Sequence, residues 1–496
     1  MAAHANSIVT WIGHVVRSRP QHPALIEDGT TWTYAQLWSR SGAIARGLLS
    51  GGLQPGQSVG IVGENEAAYI ATYFGILRAG GAAVPVNAML DPTSMCRQLK
   101  LVDPAAVFVG RVDATAHDAL AGSFQVLPLT GGFDQPGQPR FPLIGPNTVC
   151  AVMLTSGSTG APKGAVHTHG SMLHGALQLA STFPFGPNER GVLFLPLYAC
   201  IPEQVLPTLL TGGSLEILPR FDIERVADAC TRATMLDAVP TALSRLIEHA
   251  PLDSLRQLNW VLFASETMPV PLLKRWWEEL PSVLTHQFYG MTEILPLTAA
   301  THDLLKQDPT TVGQAFATSA VTVQQDGTGV SSDGSGELVG SSPARMRGYF
   351  GDSAATKDAF AGSSGMRTGD LGRIDERGFV YLTGRLKDII ISGGINIAPR
   401  EIEDVASSCP GIESSTVIGI PSDAWGETPV VIGVPKRGHP VTAADLLRHC
   451  RQGLTGYKRP TGAGLVVQLP TTGIGKAAKD AIRQMILNGE IALVRS

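Results

Sequence analysis

The sequence predicts an α/β protein with a large N-terminal domain, in which parallel-rich sheets are flanked by helices and accompanied by a small β-region, and a small α+β C-terminal domain. Three observations support this fold class. Helix and strand patterns alternate through the first half, a turn-rich segment of alternating polarity spans residues 321–342, and a compact mixed pattern begins near Ile389. The 496 residues are enough for two or more domains.

The first half opens with a strand–helix–strand pattern. In "TTWTYAQLWSRSGAIARGLLSGG", Thr33 and Gln36 have the spacing of a capping box, and Gly51 and Gly52 end the predicted helix. The stretch "SVGIVG" predicts a buried strand, "NEAAYIATYFGILRAGG" predicts a helix with Asn65 as its N-cap, and "AAVPVN" predicts the next strand. Two strands joined by a helix predict parallel pairing with a right-handed crossover.

Further strands follow in both halves of the chain. The stretches "GSLEILP", "ATMLDAVP" and "LNWVLFAS" predict short buried strands separated by amphipathic helices. Ligands of open parallel sheets collect at the carboxyl ends of the strands, so polar residues after each strand are candidates for a site. Near the C-terminus, Pro399 suits the first turn of a helix, "PREIEDVASSC". The strands "SSTVIGI" and "PVVIGV" and the helices "AADLLRHC" and "AAKDAIRQMI" follow it.

Composition excludes several classes of protein. A net charge of -4 gives no reason to expect a nucleic acid as partner. No apolar run reaches the ~18 residues of a membrane span, and the N-terminal apolar segment predicts a surface helix rather than a signal peptide. The 6 cysteines are scattered without a C-x-x-C pair, which disfavours a metal site or a disulfide framework and favours a cytoplasmic protein.

The loop "LTSGSTGAPKG" follows the apolar run "TVCAVML". Its glycines allow backbone N–H groups to turn towards an anion, its hydroxyl groups are donors, and its lysine is cationic. The order of residues is not that of a Walker A loop. By composition this is a phosphate cradle, and a merely flexible loop remains the alternative. The candidate residues are Thr155, Ser156, Gly157, Ser158, Thr159, Gly160 and Lys163.

Four further motifs follow in order. They are "YGMTE", with Thr292 and Glu293 in a turn after a strand, "RTGDLGRID", with Asp370 in a loop, "GRLKDIIISGGINIAPREIE", and "PTTGIGKAAK", with Lys476. Alone, an aspartate among glycines is usually a turn former, and a lysine near a C-terminus is usually a surface charge. With the loop at 154–164, however, the motifs resemble those of the adenylate-forming superfamily, which includes acyl- and aryl-CoA ligases, luciferases and peptide-synthetase adenylation domains. The resemblance spans nearly the whole chain and is closest to the acyl- and aryl-CoA ligases.

The resemblance implies an ATP-dependent acid–thiol ligase. The carboxylate of an acid attacks the α-phosphate of ATP, pyrophosphate leaves, and the thiol of CoA then attacks the acyl adenylate. Because the first step brings two anions together, it depends on positioning and charge neutralisation. ATP, Mg²⁺ and CoA are the implied cofactors, and the catalytic residues are Lys476, Thr292 and Glu293, with Glu293 also the Mg²⁺ ligand. Beyond the loop, the implied nucleotide contacts are Ser265, Glu266, Thr267, Tyr289, Gly290, Met291, Asp370 and Arg385.

The resemblance also implies a pocket and a hinge. A large adenylation domain would span 1–386 and a small, mobile domain 387–496, with Lys387 as the pivot. Ser392, Gly393 and Gly394 would line the tunnel for the thiol. The acid pocket would include Tyr198, Ala199, Cys200, Val239, Ala264, Gly290 and Ile294, which are mainly apolar and favour a hydrophobic, aryl or bulky acid.

The chain departs from the family pattern at the pocket. Many acyl-CoA ligases carry a histidine where this chain has Ala199 and Cys200, and peptide-synthetase domains carry an aspartate there, so an α-amino acid is disfavoured. Glu203 lies close by but is not interpreted as that acid. His167 and His169 follow the glycine-rich loop, and a helix-start or packing role remains as open for them as a catalytic one.

Three alternatives are distinguishable by experiment. The acyl group could go to the phosphopantetheine of a carrier protein instead of CoA, the adenylate could feed a luciferase-like oxygenase, or the fold could serve a regulator that only binds nucleotide. The presence of both Lys476 and Glu293 argues against the last. The expected partners are therefore a small-molecule carboxylic acid and CoA, for a monomer or homodimer without a membrane span.

Overall fold

The computed structural model describes residues 6–129, 140–156, 162–266, 268–324, 334–362, 365–454, 456–470 and 477–495. The chain divides into two compact units, Met1–Val321 with Gly340–Met366, and Thr322–Val339 with Arg367–Ser496. The boundary predicted between residues 386 and 387, about which the small domain would turn, stays a prediction.

A nine-stranded sheet belongs to the first unit. Its central strands pair in parallel, and its two edges are closed by antiparallel neighbours. The three strands predicted from "GSLEILP", "ATMLDAVP" and "LNWVLFAS" are all in this sheet. In spatial order the strands are Gln314–Ala315, Ile294–Ala300, Leu284–Met291, Trp260–Phe263, Met235–Ala238, Arg190–Leu193, Ser214–Ile217, Pro23–Glu27 and Thr30–Thr33.

A seven-stranded sheet also belongs to the first unit and contains the predicted βαβ pattern. Its strands Ser58–Val62 and Ala82–Val86 are parallel neighbours, as the sequence predicted. At the other end of the sheet, the strands Val149–Ser156 and Pro162–Thr168 form an antiparallel hairpin, and the short strand Gly348–Tyr349 pairs antiparallel with Pro162–Thr168. In spatial order the strands are Gly348–Tyr349, Pro162–Thr168, Val149–Ser156, Ala82–Val86, Ser58–Val62, Ala106–Val109 and Val126–Pro128.

Helices cover these sheets, and the helix Ala67–Arg78 is buried along its whole length. A Cβ on Gly75 would lie 2.6 Å from the Cγ2 of Ile44, so only glycine allows this helix to approach its neighbour so closely. The helical segments of the first unit are Ile8–Ser18, Tyr34–Ser50, Ala67–Arg78, Pro92–Val102, Ala114–Ala121, His169–Thr182, Leu197–Cys200, Ile201–Val205 (a π-turn), Leu206–Leu210, Ile223–Cys230, Pro240–His249, Leu252–Leu255, Val270–Glu279, His302–Gln307 and Ser353–Ala359.

The predicted starts of two helices had different outcomes. Thr33 and Gln36 form the predicted capping box. Asn65 is not an N-cap, because the helix starts at Ala67 and its cap residue is Glu66. The Asn65 amide donates instead to the carbonyl oxygens of Leu195 and Leu218, at 3.0 and 3.1 Å. Long-range partners thus outcompete the local cap that the sequence indicates.

The second unit holds a six-stranded sheet and most of a five-stranded one. Pro399 is at the start of its helix, as predicted. The five-stranded sheet comprises Ala320–Gln324, Gly336–Ser341, Gly365–Ile374, Phe360–Ala361 and Val380–Arg385, and the six-stranded sheet comprises Ile395–Ile397, Ile390–Ser392, Gly426–Pro435, Ile412–Ser422, Gly462–Leu465 and Val494–Arg495. The helical segments are Leu386–Asp388, Pro399–Ser407, Ala443–Gly453, Gly456–Lys458 and Lys479–Leu487.

Candidate active site

The glycine-rich motif joins the two strands of a hairpin. The strand Val149–Ser156 precedes it and the strand Pro162–Thr168 follows it, with Thr155 opposite Lys163. Gly157, Ser158, Thr159 and Gly160 lie outside the described residues, as does the side chain of Ser156. The ammonium nitrogen of Lys163 lies 5.0 Å from the centre of the Tyr349 ring, a cation–π contact.

Thr292 and Glu293 occupy the predicted turn, between the strands Leu284–Met291 and Ile294–Ala300. The Glu293 side chain is only 8% exposed. The Tyr349 hydroxyl donates to its Oε1 at 2.7 Å, and the Met346 backbone N–H donates to its carbonyl oxygen at 2.7 Å. A carboxylate held in this way has a defined position before any ligand binds.

Tyr349 connects the two motifs described so far. Its short strand pairs with the strand that begins at Pro162, with Tyr349 opposite Ala165. Burial and the neighbouring Glu293 carboxylate raise the pKa of Tyr349, so the phenol stays protonated and donates. The sequence reasoning missed this residue because it lies far along the chain from both Lys163 and Glu293, and nothing in its local pattern distinguishes it.

We expect Tyr349→Phe to remove the hydrogen bond to Glu293 while leaving a ring beneath Lys163. A hydrogen bond to a charged group contributes about 1.5–3 kcal/mol, so the free energy of unfolding should fall by roughly that amount. Glu293 is the predicted Mg²⁺ ligand, so the Mg²⁺ concentration required for half-maximal pyrophosphate release should also rise when its carboxylate is less well fixed. Denaturant titration and a Mg²⁺-dependence of pyrophosphate release check this, and a variant unchanged in both would contradict it.

His167 supports the same turn. Its Nε2–H donates to the carbonyl oxygen of Thr292 at 2.8 Å, and its Nδ1 lies 3.3 Å from the Ser171 hydroxyl. Burial lowers the pKa of His167 to about 4, and that of His169 to about 4 as well. His169 is the first residue of the helix His169–Thr182 and is fully buried. Both imidazoles are therefore neutral near pH 7, and His167 positions the backbone beside Glu293.

The predicted adenine segment begins where a parallel strand ends. Ser265 and Glu266 follow the strand Trp260–Phe263, and Thr267 lies outside the described residues. Ser265 has a φ of 70°, a left-handed conformation that is uncommon for a residue other than glycine and occurs at functional turns. The backbone N–H of Thr241 donates to a Glu266 carboxylate oxygen at 3.2 Å.

Tyr289, Gly290 and Met291 end the strand Leu284–Met291, one strand further along the same sheet. Tyr289 is 8% exposed. A Cβ on Gly290 would lie 3.0 Å from the carbonyl oxygen of Ile294, so this glycine permits a tight return of the chain. These residues therefore flank the turn that carries Thr292 and Glu293.

The predicted acid-pocket residues come from several elements of the first unit. Tyr198, Ala199 and Cys200 are in the helix Leu197–Cys200, and Val239, Ala264 and Ile294 lie at or next to strand ends. Cys200, the last residue of that helix, is fully buried. Burial, and then the carboxylates of Glu203 and Asp237, raise the pKa of its thiol. The apolar character predicted for the pocket stays a prediction.

The second unit carries Asp370 and Arg385. The predicted loop at Asp370 is wrong, because the residue lies in the strand Gly365–Ile374 opposite Arg385 of the strand Val380–Arg385. The Nε of Arg385 donates to Oδ1 of Asp370 at 2.8 Å. Cross-strand pairing overrides the turn preference of the glycines in "RTGDLG", and the buried carboxylate keeps a fixed direction.

The structure describes the predicted hinge and tunnel residues of the second unit, but not its predicted catalytic lysine. Lys387 lies in the 3₁₀ turn Leu386–Asp388. Gly393 and Gly394 join two short strands with φ angles of 58° and 80°, so this turn requires glycine. Ser392 ends the first of these strands. Lys476 lies outside the described residues.

The described residues contain no group of three or more histidine, cysteine, aspartate or glutamate side chains that could hold a metal ion. Glu293 nevertheless fits Mg²⁺, because this ion is usually bound through one or two carboxylates together with substrate phosphates and water. Over the same residues, no helix combines the length and the hydropathy that a membrane span requires.

Family models that match both parts of the chain, and relatives that cover nearly all of it, place this chain among the AMP-forming acyl-CoA synthetases. The model of the AMP-binding enzyme family matches residues 13–350, and that of the AMP-binding enzyme C-terminal domain matches residues 401–476. The chain belongs to this family, within the superfamily of acyl- and aryl-CoA ligases.

Individual relatives cover nearly the full length. A feruloyl-CoA synthase from Amycolatopsis sp is 33% identical, over 96% of this chain and 98% of its own. An indoleacetate–CoA ligase from Aromatoleum aromaticum is 30% identical, over 96% and 97%. The crystal structure of ATP-bound MatB from Rhodopseudomonas palustris matches with a TM-score of 0.88 at 28% identity, covering 96% of this chain and 98% of that chain.

Proposed function

We propose that this enzyme activates a carboxylic acid with a largely hydrophobic body as its acyl adenylate and transfers the acyl group to CoA. The observation that carries the proposal is the Glu293 turn. The buried Glu293 carboxylate is held by the Tyr349 hydroxyl, and the Lys163 ammonium lies over the ring of the same tyrosine. The carboxylate suits a metal ion and the ammonium suits phosphates, so together they offer the charges that a nucleotide–metal complex needs. The matches of the family models to both parts of the chain support it.

The first step joins two anions. A carboxylate oxygen of the acid attacks the α-phosphorus, the bond from that phosphorus to the bridging oxygen breaks, and pyrophosphate leaves with the bonding electrons. Lys163 and the loop 155–160 would hold the β- and γ-phosphates, and Thr292 would contact the α-phosphate. Mg²⁺ on Glu293 would neutralise phosphate charge when bound. Lys476 would bridge the acid carboxylate and the α-phosphate.

The nucleoside part of ATP requires a different set of contacts. The Asp370 carboxylate, directed by Arg385, suits the two ribose hydroxyls because it accepts two hydrogen bonds at once. Ser265 and Glu266 would lie along the adenine, with Tyr289 stacked on the base.

The second step is thiolysis. The CoA thiolate attacks the acyl carbonyl carbon, the carbon–oxygen bond to AMP breaks, and AMP leaves with the thioester as the other product. Gly393 and Gly394 lack side chains, which suits a narrow passage for the pantetheine arm. All 6 cysteines are free and buried, which fits a reducing compartment such as the cytoplasm.

We expect Lys387→Pro to impair thioester formation while sparing adenylation. Proline fixes φ and removes an N–H, so it should restrict rotation of the small domain about Lys387. Single-turnover assays of acyl-AMP formation and of thiolysis of supplied acyl-AMP separate the two steps. Lys387→Ala is the matched control and should retain both, whereas normal thioester formation by the proline variant would remove Lys387 as the pivot.

A substrate panel tests the proposed function. The enzyme with ATP, Mg²⁺ and aryl, alkyl or polycyclic acids should release pyrophosphate, and with CoA it should form a thioester detected by mass spectrometry. The feruloyl and indoleacetate relatives direct the panel towards aryl acids first. Acyl-AMP without acyl-CoA would contradict CoA as acceptor and redirect the test to a carrier-protein phosphopantetheine.

A further inference from the structure

The strand Met235–Ala238 presents a carboxylate on the same face as a predicted pocket residue. Leu236 and Ala238 pack against the helices on one side of the sheet. Met235 packs on the other side, in the cluster that contains Ala264. Because side chains alternate along a strand, Asp237 shares the face of Met235 and Ala264. Asp237 is therefore on the pocket side of the sheet.

Asp237 is a buried acceptor that lacks a full set of partners. Its side chain is 2% exposed, and its Oδ2 accepts no hydrogen bond from any residue that the structure describes. Natural proteins satisfy nearly all such groups, and an unsatisfied one costs stability. An apolar residue would fill this position in the core without that cost. The carboxylate is therefore a candidate for contact with a ligand.

The π-turn Ile201–Val205 supplies a second unsatisfied acceptor. The side-chain amide of Gln204 donates to the carbonyl oxygen of Val192 at 2.8 Å, and Val192 is the cross-strand partner of Leu236, next to Asp237. Gln204 is fully buried, and within the described part of the chain its Oε1 receives no donor. Single π-turns inside helices occur frequently at functional sites.

Glu203 adds a second carboxylate to this group. Burial and the Glu203 carboxylate raise the pKa of Asp237, and both carboxylates raise the pKa of Cys200. Glu203 belongs to the same π-turn as Gln204, and that turn directly follows the helix that ends at Cys200, a predicted pocket residue. The region therefore holds several buried hydrogen-bonding oxygens, and the raised pKa favours a protonated Asp237 over a second negative charge beside Glu203.

Resting on the proposed function, we propose that Asp237, Glu203 and Gln204 form a polar site that hydrogen-bonds an O–H or N–H group on the acid substrate. The substrate class is then an acid with an apolar body and a hydroxyl or amine group remote from its carboxylate. A purely hydrocarbon acid would leave the buried oxygens of Asp237 and Gln204 without donors. A site built around polar groups rejects an analogue that lacks the matching donor far more strongly than an apolar pocket rejects one methylene.

Matched pairs of acids test the inference. The acids are benzoic and cinnamic acids substituted at the meta or para position. One pair compares a hydroxyl with a methyl group and the other compares an aminomethyl with an ethyl group, so the two members of each pair differ in the donor but little in shape. We expect kcat/KM for pyrophosphate release to be at least about 10²-fold higher for the donor member of the best pair. A hydroxyl preference indicates a neutral donor and an aminomethyl preference a cation, and either supports the inference. No turnover with any acid would overturn the proposed function itself, whereas equal rates within every pair would overturn only this inference.

Variants separate a binding role from a structural one. Asp237→Leu should abolish the preference for the donor acid and raise kcat/KM for its methyl or ethyl partner, without lowering the midpoint of thermal unfolding. Met235→Leu, on the same face of the same strand, is the control and should keep the preference. If Asp237→Leu does not fold, Glu203→Gln should reduce the preference for the donor acid at least about tenfold. A folded Asp237→Leu or Glu203→Gln enzyme with the wild-type preference would overturn the site.

Discussion

Replacing Lys476 with alanine should abolish acyl-AMP formation while leaving thiolysis of supplied acyl-AMP close to the wild-type rate. The lysine is expected to neutralise charge only where the acid carboxylate meets the α-phosphate. Removing one such preorganised contact in enzymes costs about 10²–10³ in kcat, so pyrophosphate release should fall by at least that factor. In thiolysis the attacking thiolate meets an acyl carbonyl after pyrophosphate has left, so the same contact is not needed.

The matched control is another lysine three positions along the chain. Lys479→Ala removes a partly exposed ammonium whose Nζ lies 2.9 Å from a Glu403 carboxylate oxygen. Surface pairs of this kind contribute about 0–1 kcal/mol to stability, so both half-reactions should remain. Equal loss of both half-reactions in Lys476→Ala would contradict its assignment. Loss of adenylation in both lysine variants would point to charge in this segment rather than to Lys476.

The features that local pattern determines were predictable from the sequence. The capping box at Thr33, the helix that begins at Pro399 and the turn at Thr292–Glu293 depend on neighbours within a few residues, and the structure has all three. The parallel pairing of Ser58–Val62 with Ala82–Val86 follows from the strand–helix–strand order. Local chemistry and chain connectivity therefore suffice for the scaffold that carries the site.

The features that depend on distant partners were not predictable. Asparagine is a common N-cap residue, but the amide of Asn65 donates to the carbonyl oxygens of Leu195 and Leu218 instead. Asp370 has the surroundings of a turn, but Arg385 holds it in a strand. Tyr349 has no signal until it is seen against Glu293. In each case a hydrogen bond across many residues decides the role, and a single sequence does not contain that information.

The acid pocket shows the same limitation in its chemistry. Its predicted wall of Tyr198, Ala199, Cys200 and Val239 is apolar or weakly polar as a list of residues. Asp237 was predicted only as part of a buried strand, and its side-chain direction becomes clear only from the packing of Met235 and Leu236 on opposite faces. An apolar pattern along the chain therefore does not exclude a buried polar group on the same sheet face as a predicted pocket residue.

Glu293→Gln should be the other variant with a large effect, because it removes the carboxylate that we propose as the Mg²⁺ ligand. Glutamine keeps an oxygen that accepts from the Tyr349 hydroxyl, so the turn should stay folded and the free energy of unfolding should change little. Adenylation should slow by about 10²–10³ at saturating ATP, as for loss of one preorganised electrostatic contact. The Mg²⁺ concentration for half-maximal rate should rise, because a neutral amide is a weaker ligand for a hard cation.

The contrast with Tyr349→Phe makes this prediction specific. Phenylalanine keeps the carboxylate and removes its donor, so stability should fall more than in Glu293→Gln while the adenylation rate falls less. Thiolysis of supplied acyl-AMP releases no pyrophosphate and should survive in both variants. If Glu293→Gln adenylates at the wild-type rate with an unchanged Mg²⁺ requirement, the metal is held elsewhere and Glu293 serves only to fix the turn beside Tyr349.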